Sequence, residues 1–593
     1  MTAPRARWLA DDRLVAVGTC ALLLGAWVCM YGKLWCYEAF DAHRFTARAM
    51  LTGTLELRHV VGMVGHDEQI YDGAVYTNWG FGVPLLQLPF HALATALGWL
   101  HGFFPDRAIY FVYLAVAMPV LWTAIDRLLA MRTEGDVPVG TRRMVSWAAT
   151  WLVLNLALFP LMETRFLVYE ETLAYLTICE LVALSAYVFA LRSRGSGPAC
   201  ALGVAAGMGL LVRPTGLVYV GVWAALVALD RRGSGSARRA LVFAAALAPF
   251  VAFWLYTNTV RGGSILALGY GNSNPAWEHE MPVLRFGSVC ADSPQHFLQA
   301  SARLFGAFFV YVFPTADSAW LRRCHFDFEE RDATHEPFFT PAVLVLMVGM
   351  AYRMLARRER RLELVVPYLA LVLLFVAFVR RGEGFAWRYT GDFWPLVVLA
   401  CVQYVGSQPR EALRRIDTRL AAILTLAGFV ALARYLEPWD WSTGGAYGRG
   451  RAETYATRDA GAMWDAFRAS RWGHDEPLPT HIACGDRLGA PYHNGEGWRE
   501  GCRVDSFTNV YLGVAPKDGD RYTVRFVTDG IDVDGARVYV NGTVVTASRR
   551  GAAYEADVVL HRQDMGSPIV VATVLWSRIG EAPSGRLLSV ELV

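Results

Sequence analysis

The sequence has no C-x-x-C and no H-x-x-x-H, so neither its 10 cysteines nor its 13 histidines show the paired spacing of a zinc site. It has little net charge. Its 56 basic residues against 53 acidic ones leave +3, and the arginines fall in short clusters between apolar runs, not on a continuous basic face that could track a nucleic acid. No nucleic-acid partner is expected. The first apolar run, Leu14 to about Tyr31, lacks an A-x-A cleavage pattern and is longer than a signal-peptide core, which predicts a retained helix. Lysine is nearly absent, occurring only at Lys33 and Lys517.

What is abundant is apolar sequence. With 593 residues, 54% hydrophobic content and a mean hydropathy of +0.29, the chain is too apolar for a soluble enzyme of its size, yet it carries long polar stretches. Crossing the hydrocarbon layer takes roughly 20 helical residues. Candidate runs lie at 14–35, 108–130, 144–161, 172–192, 199–212, 215–229, 240–258, 340–356, 363–379, 392–406 and 419–434, giving a polytopic α-helical membrane protein with about eleven spans. Arginines cluster at Arg127, Arg132, Arg142 and Arg143, at Arg192 and Arg194, at Arg231, Arg232, Arg238 and Arg239, at 357–361 and at 410–419. Positive-inside bias assigns these clusters and the N-terminus to the cytoplasm. Parity then requires that Phe81 to Leu100 not cross. Pro84, Gln87, Pro89 and His91 suit that stretch to a helix lying along the interface. Residues 36–107 become one external loop, and 162–171, 259–339, 380–392 and everything after about Tyr435 also lie outside.

From about Gly485 the pattern changes to short alternating runs such as RYTVRFV, ARVYVNGTVV and RLLSVELV, separated by Gly, Asp and Asn. This predicts an all-β C-terminal domain, a β-sandwich over 485–593 with Asn541-Gly542 as a hairpin turn, after a linker at 436–484. Cys484 and Cys502 would lie outside and can pair or remain two thiols; the same choice applies to Cys290 and Cys324.

Immediately after the first span come Glu38, Asp41, His43 and Arg44, with Glu38 and Asp41 three apart and on one face if helical. A carboxylate at that depth can meet both a lipid headgroup and a water-borne substrate. The plainer alternative is an interfacial helix with solvated acids. Three segments resemble the GT-C superfamily of integral-membrane glycosyltransferases. The first is the loop beginning Tyr37-Glu38-Ala39-Phe40-Asp41, with Thr52-Gly53, Asp72-Gly73, Tyr76 and Gly82-x-Pro84, similar to that family's first external loop and its two juxtamembrane helices. The second is GVAAGMGLLVRPTGLVYV around Arg213-Pro214. The third is Arg388-Tyr389-Thr390-Gly391-Asp392-Phe393-Trp394-Pro395, which resembles an RY-x-x-D-F-x-P element. The resemblance covers about residues 10–435, a transmembrane domain at 1–435, and leaves the tail out. It implies a catalytic base on a first-loop acid: Asp41, with Glu38 or Asp67-Glu68 as alternatives, since the acidic start at Glu38 and Asp41 departs from the commonest form, an adjacent Asp-Glu pair.

Glycosyl transfer to an alcohol needs a base for the acceptor proton and cationic help for the departing phosphate. Arg388, Arg381 and Arg44 are the external guanidiniums nearest the predicted surface and are the candidate phosphate-binding residues, with interfacial anchoring as the alternative for each. Glu163, Tyr169, Glu170 and Tyr389 are candidate substrate contacts. No cofactor is called for. His279, His296, His325, His335, Asp327, Glu329 and Asp332 give the 259–339 loop the ligand types for a divalent metal, at irregular spacing. The resemblance thus implies inverting transfer of a sugar from a polyprenyl-phosphate donor to an envelope glycan, lipid or protein acceptor. The alternatives are a flippase of lipid-linked sugars and a non-catalytic envelope glycan-binding protein. The near-replacement of lysine by arginine points to a high-GC bacterium, and so to a multi-pass inner-membrane protein with a periplasmic tail.

Overall fold

The computed structural model describes residues 37–38, 42–57, 68–72, 74–98, 102–133, 137–157, 168–191, 195–229, 236–266, 362–381, 391–407, 456–457, 479–485, 498, 500–504, 507–512, 517, 519–560, 570–576 and 583–593, with a few isolated positions between. The chain divides into two compact units, one of residues 1–34, 110–252 and 285–446, the other of 35–109, 253–284 and 447–593.

The described residues of the first unit are mainly helical: α3 (Asp106–Thr133, from Tyr110 on), α4 (Val139–Ala157), α5 (Val168–Ala190), α6 (Gly197–Val212), α7 (Gly216–Leu229), α8 (Ser236–Gly262, as far as Ala252), α9 (Leu362–Arg381) and α10 (Trp394–Ser407). These eight helices coincide with eight of the apolar runs; the runs at 14–35, 340–356 and 419–434 lie outside the described residues apart from isolated positions. Among the described residues, three helices are long and apolar enough to cross a membrane, at Asp106–Met131, Glu170–Ala190 and Ser236–Gly262. Arg142 forks onto Asp126 (2.9 and 3.2 Å), tying the start of α4 to α3. α6 packs against α5, α7 and the chain of α8 through small residues. A Cβ on Gly203 would lie 2.5 Å from the Phe243 carbonyl oxygen, and one on Gly207 would lie 2.6 Å from the Phe250 ring. Without side chains there, the backbones approach closely, as apolar helices do in lipid.

The second unit contains α1 (Ala42–Leu51), α2 (Gly82–Ala96) and the β-structure. α1 stops at Thr52-Gly53, where Gly53 takes φ +79° and donates its N–H to Met50. α2, 15 residues long with Pro89 inside it, is the stretch expected along the interface. Between them β2 (Glu68–Tyr71) and β3 (Ala74–Thr77) pair as a tight hairpin around Asp72, a feature the sequence reading missed. β1 (Tyr37–Glu38) pairs antiparallel with β4 (Ala456–Thr457).

The tail forms two antiparallel sheets from β5 (His481–Ala483), β6 (Phe507–Leu512), β7 (Arg521–Asp529), β8 (Arg537–Val540), β9 (Thr543–Thr546), β10 (Ser548–Arg550), β11 (Ala553–Val559), β12 (Val570–Leu575) and β13 (Arg586–Leu592), in the orders β10-β11-β7-β13-β5 and β6-β12-β8-β9. Alternation places Val524 and Phe526 of one sheet and Val538, Val540, Ala572 and Val574 of the other in the core. Trp576 joins them, meeting Phe526 and Tyr554 edge-on while its indole N–H donates to Thr508 (2.9 Å). Asn541 (φ +45°) and Gly542 (φ +92°) make the two-residue turn between β8 and β9, and Cys484 is bonded to Cys502.

Candidate functional site

In the first unit the residue before Pro214 is driven toward extended geometry, so α6 ends at Val212 and Arg213 sits at φ −154°, ψ 143°. The chain then turns through Thr215 into α7. That tight reversal aims three groups at one acid 173 to 179 residues away: Arg213 Nε lies 2.8 Å from Asp392 Oδ1, the Thr215 hydroxyl donates to the same oxygen at 2.7 Å, and the Tyr219 hydroxyl donates to the Asp392 carbonyl at 2.6 Å. Asp392 is fully buried and Arg213 nearly so. Two of the three sequence segments carrying the resemblance therefore meet in one polar knot, immediately downstream of Arg388-Tyr389. Below it, Glu180 in the middle of α5 accepts the Trp223 indole N–H at 2.7 Å, and Gly209 leaves room for its carboxylate.

In the second unit Arg44 of α1 is fully buried and paired through both Nε (3.2 Å) and Nη2 with Asp106, the first residue of α3. Asp106 thus serves the positive helix end and the guanidinium together. Arg44 and Arg48 both lie over Phe103, at 5.6 and 4.9 Å. His91 accepts the Phe104 N–H at Nδ1 (3.1 Å); burial, followed by the charges of Arg44 and Arg48, lowers its pKa to about 3, so it is a neutral acceptor. Arg261, near the end of α8, donates to the carbonyls of Trp79 (2.8 Å), Thr77 and Asn78 and to the Asn258 side chain (3.0 Å), closing the stretch between β3 and α2. Glu56, just beyond α1, accepts from Arg537 (2.8 Å) and from the Tyr539 hydroxyl.

No protein-family model matches the sequence, and no curated protein sequence matches it. Several solved structures are similar to it. The apo oligosaccharyltransferase of Archaeoglobus fulgidus matches at 13% identity over 77% of this chain and 60% of its own, with a TM-score of 0.33. The oligosaccharyltransferase AglB of the same organism, in complex with an inhibitory peptide and a dolichol-phosphate, matches at 13% identity over the same shares, at 0.34. The arabinosyltransferase EmbB of Mycobacterium smegmatis matches at 13% identity over 100% of this chain and 66% of its own, at 0.27. The chain spans about 60% of the length of the archaeal structures it matches. With TM-scores below 0.5, none of these carries the reading of this chain, which rests on its own residues.

Asp41, Asp67, Arg388, Tyr389 and Glu163 lie outside the described residues, as does nearly all of the 259–339 loop with its candidate metal ligands. Glu38 lies in β1, Tyr169 in the first turn of α5 and Arg381 at the end of α9. Glu170 is buried at the start of α5, and Glu68 is buried in β2. Arg44, read from the sequence as a phosphate holder, has its guanidinium turned inward onto Asp106, a partner that the fold brings to it from 62 residues away. The buried acids that the sequence reading passed over are Asp392, noticed only as part of a motif, and Glu180. A lone acid inside the apolar run TLAYLTICELVALSAYVF is the signal that could have marked Glu180.

Proposed function

We propose that this protein is a membrane glycosyltransferase that moves a sugar from a polyprenyl-phosphate donor to an acceptor hydroxyl by single displacement with inversion, on the outer face of a bacterial inner membrane. The observation that carries the reading is the Asp392 knot. It gathers Arg213, Thr215 and Tyr219 from one hairpin tip onto the segment that follows Arg388-Tyr389. A buried acid held by three donors is a rigid base for such a segment, and a lipid phosphate is best bound by guanidiniums whose supports do not move. In this reading Arg388 and Arg381 hold the phosphate, and Tyr389, Glu163, Tyr169 and Glu170 line the sugar.

Asp41 takes the proton of the acceptor hydroxyl as its oxygen bonds to the anomeric carbon; the bond from that carbon to the phosphate oxygen breaks, and the lipid phosphate leaves with its electron pair, stabilised by the arginines. Glu38 is the alternative base. The transferred sugar inverts because attack and departure are on opposite faces. The carrier alternative, a flippase of lipid-linked sugars, draws on Glu180, an acid buried within a candidate span. The test is transfer from a panel of radiolabelled polyprenyl-phosphate sugars to envelope extract by the wild type and Asp41→Asn. Transfer that falls at least 100-fold in the variant, with donor binding retained, is the expected result. Transfer surviving in Asp41→Asn refutes the base, and no transfer with any donor returns the carrier reading.

A further inference from the structure

The first external loop and the β-tail belong to one compact unit, and they are joined at two places on either side of Asp41. Upstream, Tyr37 and Glu38 pair as a short strand with Thr457 and Ala456. Downstream, Glu56 is gripped from the tail. Both its oxygens face Arg537 Nη2 (2.8 and 2.9 Å), and one accepts the Tyr539 hydroxyl. The grip is built, not incidental. Tyr539 is 1% exposed, and burial, then the neighbouring Glu56, raises its pKa, so it stays a hydroxyl and a donor at any physiological pH. Arg537 lies over the Tyr539 ring at 5.6 Å, and burial followed by Glu56 also raises the pKa of the half-buried Tyr76 beside them. The next residue, Leu57, donates its N–H to Val75 of β3 at 2.8 Å, extending the grip to the β2–β3 hairpin.

We propose that the C-terminal β-domain is a positioning element for the first-loop acid, with Arg537 and Tyr539 as positioning residues acting through Glu56 on α1, whose first residue directly follows Asp41. Only residues 39–41 separate β1, anchored to residues 456–457, from α1, itself fixed by Arg44–Asp106 within and by Glu56 beyond its end. In sequence, the acid at 41 thus falls between two elements that the tail and Asp106 hold. The assignment of an acid in this segment as base is the reading given above, on which the catalytic half of the inference rests.

The test uses the full chain and four variants: Glu56→Arg, Arg537→Glu, the charge-swapped double variant and Tyr539→Phe, with Asp41→Asn as the reference. Two readouts are taken, amide hydrogen exchange over residues 42–57 and transfer kinetics. Each charge-reversed single variant is expected to speed exchange about tenfold or more and to lower kcat by a similar factor with acceptor KM little changed, Tyr539→Phe less so, and the swap to recover both to within about threefold. Asp41→Asn should abolish transfer with exchange unaltered. Singles that leave exchange unaltered, or that speed exchange while kcat holds, overturn the proposal, as does a swap that rescues neither. If the wild type transfers nothing while exchange still responds and is rescued by the swap, the enzymatic reading fails and the mechanical coupling of tail to loop stands.

Discussion

Removing the Asp392 carboxylate should be among the most destabilising single changes in the helical unit. The side chain is fully buried and Arg213 is 10% exposed, so Asp392→Ala removes a counter-charge from a guanidinium held largely away from water and also strips the Thr215 hydroxyl of its acceptor. Breaking one side of a buried pair costs about 3–5 kcal/mol, and little solvent is available here to screen the loss. Asp392→Asn keeps an oxygen for both donors but removes the charge. Charge-assisted hydrogen bonds are roughly twice as strong as neutral ones, so its cost should be about half, ~1.5–2.5 kcal/mol. If the cost is the orphaned charge, then Asp392→Ala combined with Arg213→Met should be less damaging than the two singles summed, by ~2 kcal/mol or more. The assay is SDS-induced unfolding of the purified protein in micelles, followed by loss of helical signal. A cost for Asp392→Ala below about 0.5 kcal/mol, the size of an ordinary surface change, or strict additivity in the cycle, would refute the reasoning.

Two further outcomes follow from the same geometry. His91 has a folded pKa below its unfolded one, so the unfolded state binds the extra proton between about pH 6.5 and 3; stability is full above this window and falls as pH drops through it, at up to ~1.4 kcal/mol per unit. His91→Asn keeps an acceptor for the Phe104 N–H and should flatten that slope when melting midpoints are compared across pH. A Cβ on Gly216 would overlap the Gly209 carbonyl and lie 2.7 Å from the Leu210 Cα, whereas one on Gly209 meets the end of the Glu180 side chain. Gly216→Ala should therefore lower the melting midpoint more than Gly209→Ala, because backbone cannot step aside as a side chain can; equal effects would contradict this.

Local features were legible wherever the physics is local. The described apolar runs became helices, since length and hydropathy suffice to specify them, and the stretch carrying Pro84, Gln87, Pro89 and His91 forms a helix of its own, α2. The Asn541-Gly542 turn followed from the ease with which those residues take positive φ, and the alternating runs around it became strands. The β2–β3 hairpin was missed because its strands are only four residues each, too short for a period to show.

The sequence by itself determined the apolar segments, the β-character of the tail and the list of acids and arginines between the apolar runs. It could not say which of those charges were free, because ion pairs such as Arg44–Asp106, Arg213–Asp392 and Glu56–Arg537 join residues 62, 179 and 481 positions apart. A charge has no periodicity to betray its partner. Only packing brings the two together, and burial then makes each depend on the other. Tertiary structure therefore decided that Arg44 braces the loop, that Asp392 ties the hairpin tip to the segment after Arg388, and that the tail is fastened through Glu56 to the loop that holds Asp41.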